Sequence, residues 1–138
     1  MGFRSFLHRL TAPPPASPPS GKDMKLVCVV NQSLSMGKGK IAAQVGHACV
    51  ESFLRAGASH PSHVEAWLAN GQKKICLKVP DEGHFKPLIQ AASKVGAPHH
   101  VVRDAGHTQI PSGSKTVLAI GPFDEATLDS ITGELKLL

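Results

Sequence analysis

The sequence has few of the residues that mark metal-binding, secreted or membrane proteins. Its three cysteines, Cys28, Cys49 and Cys76, are odd in number and too far apart for a CxxC metal pair. Each lies among apolar residues, so we expect three reduced, buried thiols that behave as small hydrophobic side chains in a reducing compartment. No apolar run approaches the ~20 residues that a membrane helix needs, and we therefore predict no membrane span.

Two short motifs are incomplete. A Walker A phosphate loop needs GxxxxGK followed by Ser or Thr, whereas Lys40 is followed by Ile41, which disfavours a nucleotide triphosphatase. An N-myristoylation signal needs Ser or Thr at position 6, where this chain has Phe6.

The composition is that of a folded domain rather than a disordered chain. With 41% hydrophobic and 18% charged residues, 138 residues suffice for one domain with a substantial core. The formal charge is +5: residues 1–22 contribute +3 without an acid, Asp23 contributes −1, and residues 24–138 contribute another +3. This mild positive charge is compatible with binding RNA through a basic surface but does not by itself identify RNA as the partner.

Residues 1–23 differ from the rest of the chain. A basic segment is followed by the proline-rich PPPASPPSGKD, so we predict a flexible extension before a single domain over 24–138. The basic half contains Phe3, Phe6, Leu7 and Leu10 and no acid, which makes mitochondrial delivery the alternative to a cytoplasmic location.

Apolar patterns predict an α/β fold, with elements in the order β-α-α-β-α-β-β-α and a four-stranded mixed sheet flanked by helices. The run KLVCVV from Lys25 is typical of a strand buried on both faces. The first helix is expected from near Lys38 to about Arg55, with Gly57 as its stop signal. Further strands are predicted at 73–79, 99–103 and 116–120, the last ended by Gly121-Pro122, and a helix from near 84 to Gly96.

Two more helix starts carry capping signals. Ser62 and Glu65 have capping-box spacing, which predicts a second helix ending at Asn70-Gly71, with Trp67 packing it onto the sheet. Asp124 is a plausible N-cap for the last helix.

The segment MGKGKIAAQVGHA, residues 36–48, is the first candidate site. In a helix, a polar stripe runs along one face, and the remaining faces are apolar enough that we expect the helix to be nearly surrounded and the stripe to line a cleft. Gly37 and Gly39 let the backbone approach a ligand, and a helix N-terminus attracts anions, although a solvated basic turn is the alternative. The stripe consists of Lys40, Gln44, His47 and Glu51.

The turn DAGHT is the second candidate, because Asp104 directly follows a predicted buried strand, where loops often present functional groups. Asp104 and Thr108 could equally serve to hydrogen-bond the turn backbone. His47 alone would more often be a hydrogen-bonded core histidine than a catalyst, and Glu51 a solvated or paired carboxylate.

Several separated segments together resemble the type 2 peptidyl-tRNA hydrolase family over Lys25 to Leu138. The resemblance implies a four-stranded mixed sheet, a homodimer, and hydrolysis of the ester between peptide and tRNA without a metal or other cofactor. The alternative is a tRNA-binding or regulatory module with the same fold and little or no turnover. The segments are MGKGKIAAQVGHA, GQKKICLKV, DAGHTQIPSG, TVLAIGP and ITGELKLL.

By position, the resemblance assigns the family's functional set to Lys40, Asp104 and Thr108, with Lys38, Gln44 and His47 lining the same site. Ester hydrolysis needs an activated water and a stabilised oxyanion. Our hypothesis is that Asp104, directly or through His47, orients the water while Lys40 stabilises the oxyanion and Thr108 positions Asp104 or the substrate. Lys38, with Gly37 and Gly39, would contact the tRNA phosphates.

Two positions depart from the family pattern. Ser33 stands where members usually carry an acid, which removes a possible charge partner, and this loss together with the extension suggests the binding-module alternative. Gly46 replaces the usual Ala or Ser at a cost of about 1 kcal/mol in helix propensity.

Overall fold

The chain folds into a five-stranded mixed sheet with helices on both faces. The computed structural model describes residues 23–106 and 110–138, so Thr108 and residues 1–22 of the predicted extension lie outside the described residues. The strands are β1 (Met24–Asn31), β2 (Lys74–Val79), β3 (His99–Arg103), β4 (Lys115–Asp124) and β5 (Lys136–Leu137). The helices are α1 (Lys38–Ser59), α2 (Pro61–Ala69), α3 (Phe85–Lys94) and α4 (Glu125–Thr132).

The sheet order is β3-β4-β1-β2-β5, with β1 and β2 parallel and the other neighbours antiparallel. The single α/β domain and its mixed sheet agree with the sequence prediction. The fifth strand was not predicted: β5 is only two residues long and pairs with Leu77 and Lys78 of β2. Two residues cannot show the alternation by which a strand is recognised.

β1 separates two apolar cores, because alternate residues of a strand point to opposite faces. Val27 and Val29 pack with Phe85 and Leu88 of α3 and with α4. Leu26, Cys28 and Val30 pack with α1 and with α2, where the buried Trp67 contacts the sheet as predicted. The strand is buried at every residue, as the continuous apolar run indicated.

The boundary between the first two helices differs from the prediction. Gly57 lies inside α1, which continues to Ser59, and the capping box is absent because α2 begins at Pro61 with no side-chain cap. Pro61 is the physical reason: it disfavours helical backbone at His60, which has φ −139° and ψ 64°, and its own ring presets the first helical position.

The predicted end of β4 at Gly121-Pro122 is wrong. The strand continues to Asp124, since Lys25 and Met24 of β1 pair with Phe123 and Asp124 beyond an irregularity in the register. Such irregularities are where a strand accommodates proline, which has no N–H to donate. Asp124 caps α4 as predicted, accepting a hydrogen bond from the Thr127 N–H at 3.0 Å.

α1 is not nearly surrounded, contrary to expectation. Val50 and Leu54 are 62% and 59% exposed, because only one side of α1 packs on the sheet and α2. Among residues 23–106 and 110–138, no helix has the length and apolar character to cross a bilayer.

Candidate active site

Lys40 and Asp104 form an ion pair between the first turn of α1 and the end of β3. The Lys40 side chain is 21% exposed and the Asp104 side chain 1%, so solvent reaches the pair from the lysine side. Residues 64 positions apart thus meet, as expected if the helix stripe and the DAGHT turn form one site.

Asp104 also organises its own turn. Its Oδ2 accepts a hydrogen bond from the Gly106 N–H at 2.9 Å, while its backbone N–H donates to the Ser114 carbonyl. Gly106 has φ +86°, a conformation that favours glycine. The two interpretations of Asp104 are therefore compatible: one carboxylate oxygen holds the turn and the other faces Lys40.

Gln44, one turn after Lys40, is buried rather than presented to a ligand. Its Oε1 accepts a hydrogen bond at 2.7 Å from the buried Thr116 hydroxyl, which also lies 3.2 Å from the Val102 carbonyl. The contact ties α1 to β4 one helical turn after Lys40. Thr116 was missed in the sequence, where it reads as the start of an apolar strand.

Asn31 is a second residue that the sequence analysis missed. It is 2% exposed, its amide donates to the Lys115 carbonyl at 3.0 Å, and its Oδ1 accepts from the Ser33 N–H and hydroxyl at 3.0 and 2.7 Å. Asn31 thereby fixes the turn that leads to the glycine-rich entrance of α1. The available signal was an amide side chain at the end of an apolar strand.

His47 and Glu51 continue the stripe into an open groove of about 560 Å³ between α1 and β3. His47 is exposed, and Glu51 pairs with Arg55 at 3.4 Å, as a solvated or paired carboxylate should. Burial, reinforced by the nearby Arg55 charge, lowers the pKa of His100. The groove is lined by Ala43, Gly46, His47, Val50, Glu51, His100, Val102 and Arg103.

The entrance residues Gly37, Lys38 and Gly39 are exposed. Gly37 is the N-cap of α1, with extended backbone, and its carbonyl accepts the Ile41 N–H at 2.9 Å. A side chain at Gly37 or Gly39 would meet no atom within 4 Å, so neither position is closed by packing and a ligand can approach the backbone.

The site combines a cation, a buried carboxylate and an open path to solvent. Such a set can stabilise a developing negative charge and orient a water molecule. No group of three histidine, cysteine or carboxylate side chains in the described part of the chain is arranged to hold a metal ion.

Comparison with known proteins identifies the family. The family model described as peptidyl-tRNA hydrolase PTH2 matches residues 24–138. The chain is 47% identical over 115 residues to a peptidyl-tRNA hydrolase of Methanocaldococcus jannaschii, covering 83% of this chain and 100% of the relative. It is 41% identical over 115 residues to a human protein named peptidyl-tRNA hydrolase 2, mitochondrial, covering 83% of this chain and 64% of the relative. The chain therefore belongs to the peptidyl-tRNA hydrolase PTH2 family.

Proposed function

We propose that this chain hydrolyses the ester bond of peptidyl-tRNA at the place where Lys40 meets Asp104. The observation that carries the proposal is the ion pair itself, which joins the two sequence segments on which the family resemblance rests. The family match over 24–138 supports the reaction and the substrate class.

The chemistry follows from the pair's environment. The ester carbonyl oxygen becomes negative as water attacks, and Lys40, reached by solvent, supplies the positive charge nearest to it. Asp104, held by Lys40 and the Gly106 N–H, orients the attacking water directly or through His47. Thr108 positions Asp104 or the substrate. Gln44 supports the position of Lys40 by fixing α1 against β4 through its hydrogen bond with Thr116.

Basic residues around the pair are suited to the phosphates of the tRNA. Lys38 is exposed at the entrance of α1, with Gly37 and Gly39 on either side for close approach of a phosphate, and Arg103 and Lys115 are register partners beside Asp104. Phosphate contacts release counterions, so the affinity for tRNA should fall steeply with added salt.

The test is turnover of diacetyl-lysyl-tRNA by three matched lysine variants. We expect Lys40→Ala to lower kcat by about 10²–10³-fold, as removal of an oxyanion-stabilising donor does. Lys38→Ala should raise KM more than it lowers kcat. Lys86→Ala, an exposed lysine of α3 on the opposite face of the sheet, should change neither.

Asp104→Asn keeps the size of the side chain and should also lower kcat, with folding checked by circular dichroism. Near-wild-type turnover by folded Lys40→Ala and Asp104→Asn would place the reaction elsewhere. Free aminoacyl-tRNA serves as the substrate control, because the hydrolase should release only the peptidyl form. Release of neither, with tRNA bound, would make the chain a binding module.

We further propose that the active form is a homodimer covering the exposed face of α1, where Val50 and Leu54 lie. An exposed apolar face of this kind commonly marks a protein interface.

For localisation we propose the cytoplasm, with delivery to mitochondria by residues 1–23 as the alternative. The names of the human and bovine relatives, each peptidyl-tRNA hydrolase 2, mitochondrial, support that alternative. Fractionation of cells expressing the full chain or a chain lacking residues 1–22 distinguishes the two.

A further inference from the structure

The three cysteines, 21 or more positions apart in the chain, meet in the core between the sheet and α1. The Sγ atoms of Cys28 in β1 and Cys49 in α1 are 3.7 Å apart. Cys76 lies opposite Cys28 in the parallel pairing of β1 and β2. All three thiols are free.

The thiols differ in access to solvent. Cys28 is fully buried, whereas Cys49 and Cys76 are half-buried, which corrects the expectation of three buried thiols. Cys49 is therefore a thiol that a small reagent can reach, with Cys28 directly behind it.

The surroundings favour a thiolate at the half-buried positions. The hydrogen bond with Cys28 lowers the pKa of Cys49 to about 7, and the Lys74 ammonium acts in the same direction. Lys74 is held there by the Gln72 carbonyl at 2.8 Å and by the Trp67 ring at 4.9 Å. Hydrogen bonding to Cys49 and Cys76, together with burial, raises the pKa of Cys28, so Cys28 keeps its proton.

We propose that Cys28 and Cys49 form an oxidation site, at which a hydroperoxide converts the two thiols into a disulfide linking β1 to α1. The site is separate from the Lys40–Asp104 pair and does not depend on the proposed reaction.

The steps balance with the hydroperoxide as the only co-reactant. The Cys49 thiolate attacks a peroxide oxygen, forming an S–O bond and breaking the O–O bond. The second oxygen leaves as alkoxide or hydroxide and takes up the proton that Cys49 released to the solvent on ionising, which gives an alcohol or water. The Cys28 sulfur then attacks the Cys49 sulfenic acid, forming the S–S bond as the S–O bond breaks. The hydroxide that leaves takes the Cys28 proton and becomes water. The two thiols supply the two electrons that reduce the peroxide.

Geometry selects Cys49 rather than Cys76 as the partner. The Cys28 and Cys49 sulfurs must close from 3.7 Å to about 2.05 Å, across the gap between a helix and a strand. Cys76 instead stands beside Cys28 on a paired strand, where parallel side chains oppose the dihedral of about 90° that a disulfide requires.

The experiment treats the full chain with hydrogen peroxide, blocks remaining thiols with iodoacetamide and maps tryptic peptides without reduction. Lysine and arginine positions separate the cysteines into peptides 26–38, 41–55 and 75–78. We expect a linked 26–38/41–55 pair lighter by two hydrogen atoms, loss of two of the three alkylatable thiols, and recovery of both after dithiothreitol.

Matched variants test each role. Cys49→Ser should abolish the link, and Cys76→Ser should leave it intact. Cys28→Ala should leave a sulfenic acid on Cys49 that dimedone traps. Should that variant not fold, Cys49→Ser and Cys76→Ser still test the proposal. A 26–38/75–78 link, links only between chains, or three alkylatable thiols in folded, peroxide-treated protein would overturn the proposal.

Discussion

Single polar residues inside the core determine how the site is held. Gln44, Thr116 and Asn31 are each buried, and each side chain is hydrogen-bonded. A buried polar group is tolerated only when it is hydrogen-bonded, so these three side chains connect α1, β4 and the turn after β1 into one support for Lys40 and Asp104.

Thr116→Val tests this support. The substitution keeps the shape but removes the donor to Gln44, leaving a buried amide oxygen unsatisfied, and should lower the free energy of unfolding by about 1–3 kcal/mol. Thr116→Ser, which keeps the hydroxyl, is the control. Chemical denaturation of both variants measures the difference in the free energy of unfolding. Equal losses of that free energy in the two variants would mean that the Thr116 hydroxyl does not contribute to stability.

His100 makes stability depend on pH. Its lowered pKa, caused first by burial and then by the positive Arg55, means that the unfolded chain binds a proton more readily than the folded one, with Glu51 opposing and His99 adding to the effect. The contribution of His100 to the free energy of unfolding is therefore fully present above the pKa of the unfolded chain. It is lost as the pH falls from that value toward the lower pKa of the folded state.

Urea midpoints at about pH 7.5 and about pH 5.5, on either side of the ordinary histidine pKa of about 6.5, should differ more in the wild type than in His100→Gln. If the urea midpoints of the wild type and of His100→Gln changed equally with pH, His100 would not be the source of the pH dependence.

At the scale of elements, α1 has two different faces. One face, with Ala48 and Ser52, is fully buried against the sheet, and the other carries the exposed Gly46 and Val50. The helix is thus fixed by one face while the groove side stays open, so a substitution at Gly46 should change the stability of the single chain through helix propensity.

Gly46→Ala is the direct test. A Cβ at Gly46 meets nothing within 4 Å, so the exchange should raise the free energy of unfolding by about 1 kcal/mol. Gly121→Ala is the matched control with the opposite sign, because Gly121 has φ +109° and its Cβ would lie 2.6 Å from the Lys25 carbonyl oxygen. Thermal unfolding of both variants measures the effects; destabilisation by Gly46→Ala would show that the helix is constrained there.

For the whole molecule, the sheet order places β3 at one edge and β5 at the other, with β1 near the middle. The groove is on the β3 side, Val50 of the exposed α1 face is part of its lining, and Arg103, which also lines it, directly precedes Asp104 in the chain. A second chain covering Val50 would therefore also cover part of this groove.

Val50→Glu combined with Leu54→Glu should convert the proposed dimer to a monomer, since two carboxylates would have to be buried in the interface. Sedimentation equilibrium measures the mass. Val95→Glu, at a 43% exposed position after α3 on the other side of the sheet, should leave the dimer intact. A monomeric wild type, or a dimeric double variant, would exclude this interface.

Local patterns along the chain were enough to place several of the elements. The apolar run of β1, the alternation in β2 and the Asp124 cap each act within a few residues, so chain order, fold class and family could be read directly. Local signals also named Lys40 and Asp104 as candidates, one from a helix stripe and the other from its place after a strand.

Which of those residues meet depends on contacts between segments that are distant in the chain. The Lys40–Asp104 pair, the Gln44–Thr116 hydrogen bond and the contact of Cys28 with Cys49 join separate segments of the chain. The exposed face of α1, the continuation of β4 past Pro122 and the short β5 depend likewise on what each element packs or pairs with. Periodicity gives the face that a side chain occupies, but the packing of sheet against helix sets its partner, its burial and hence its chemistry.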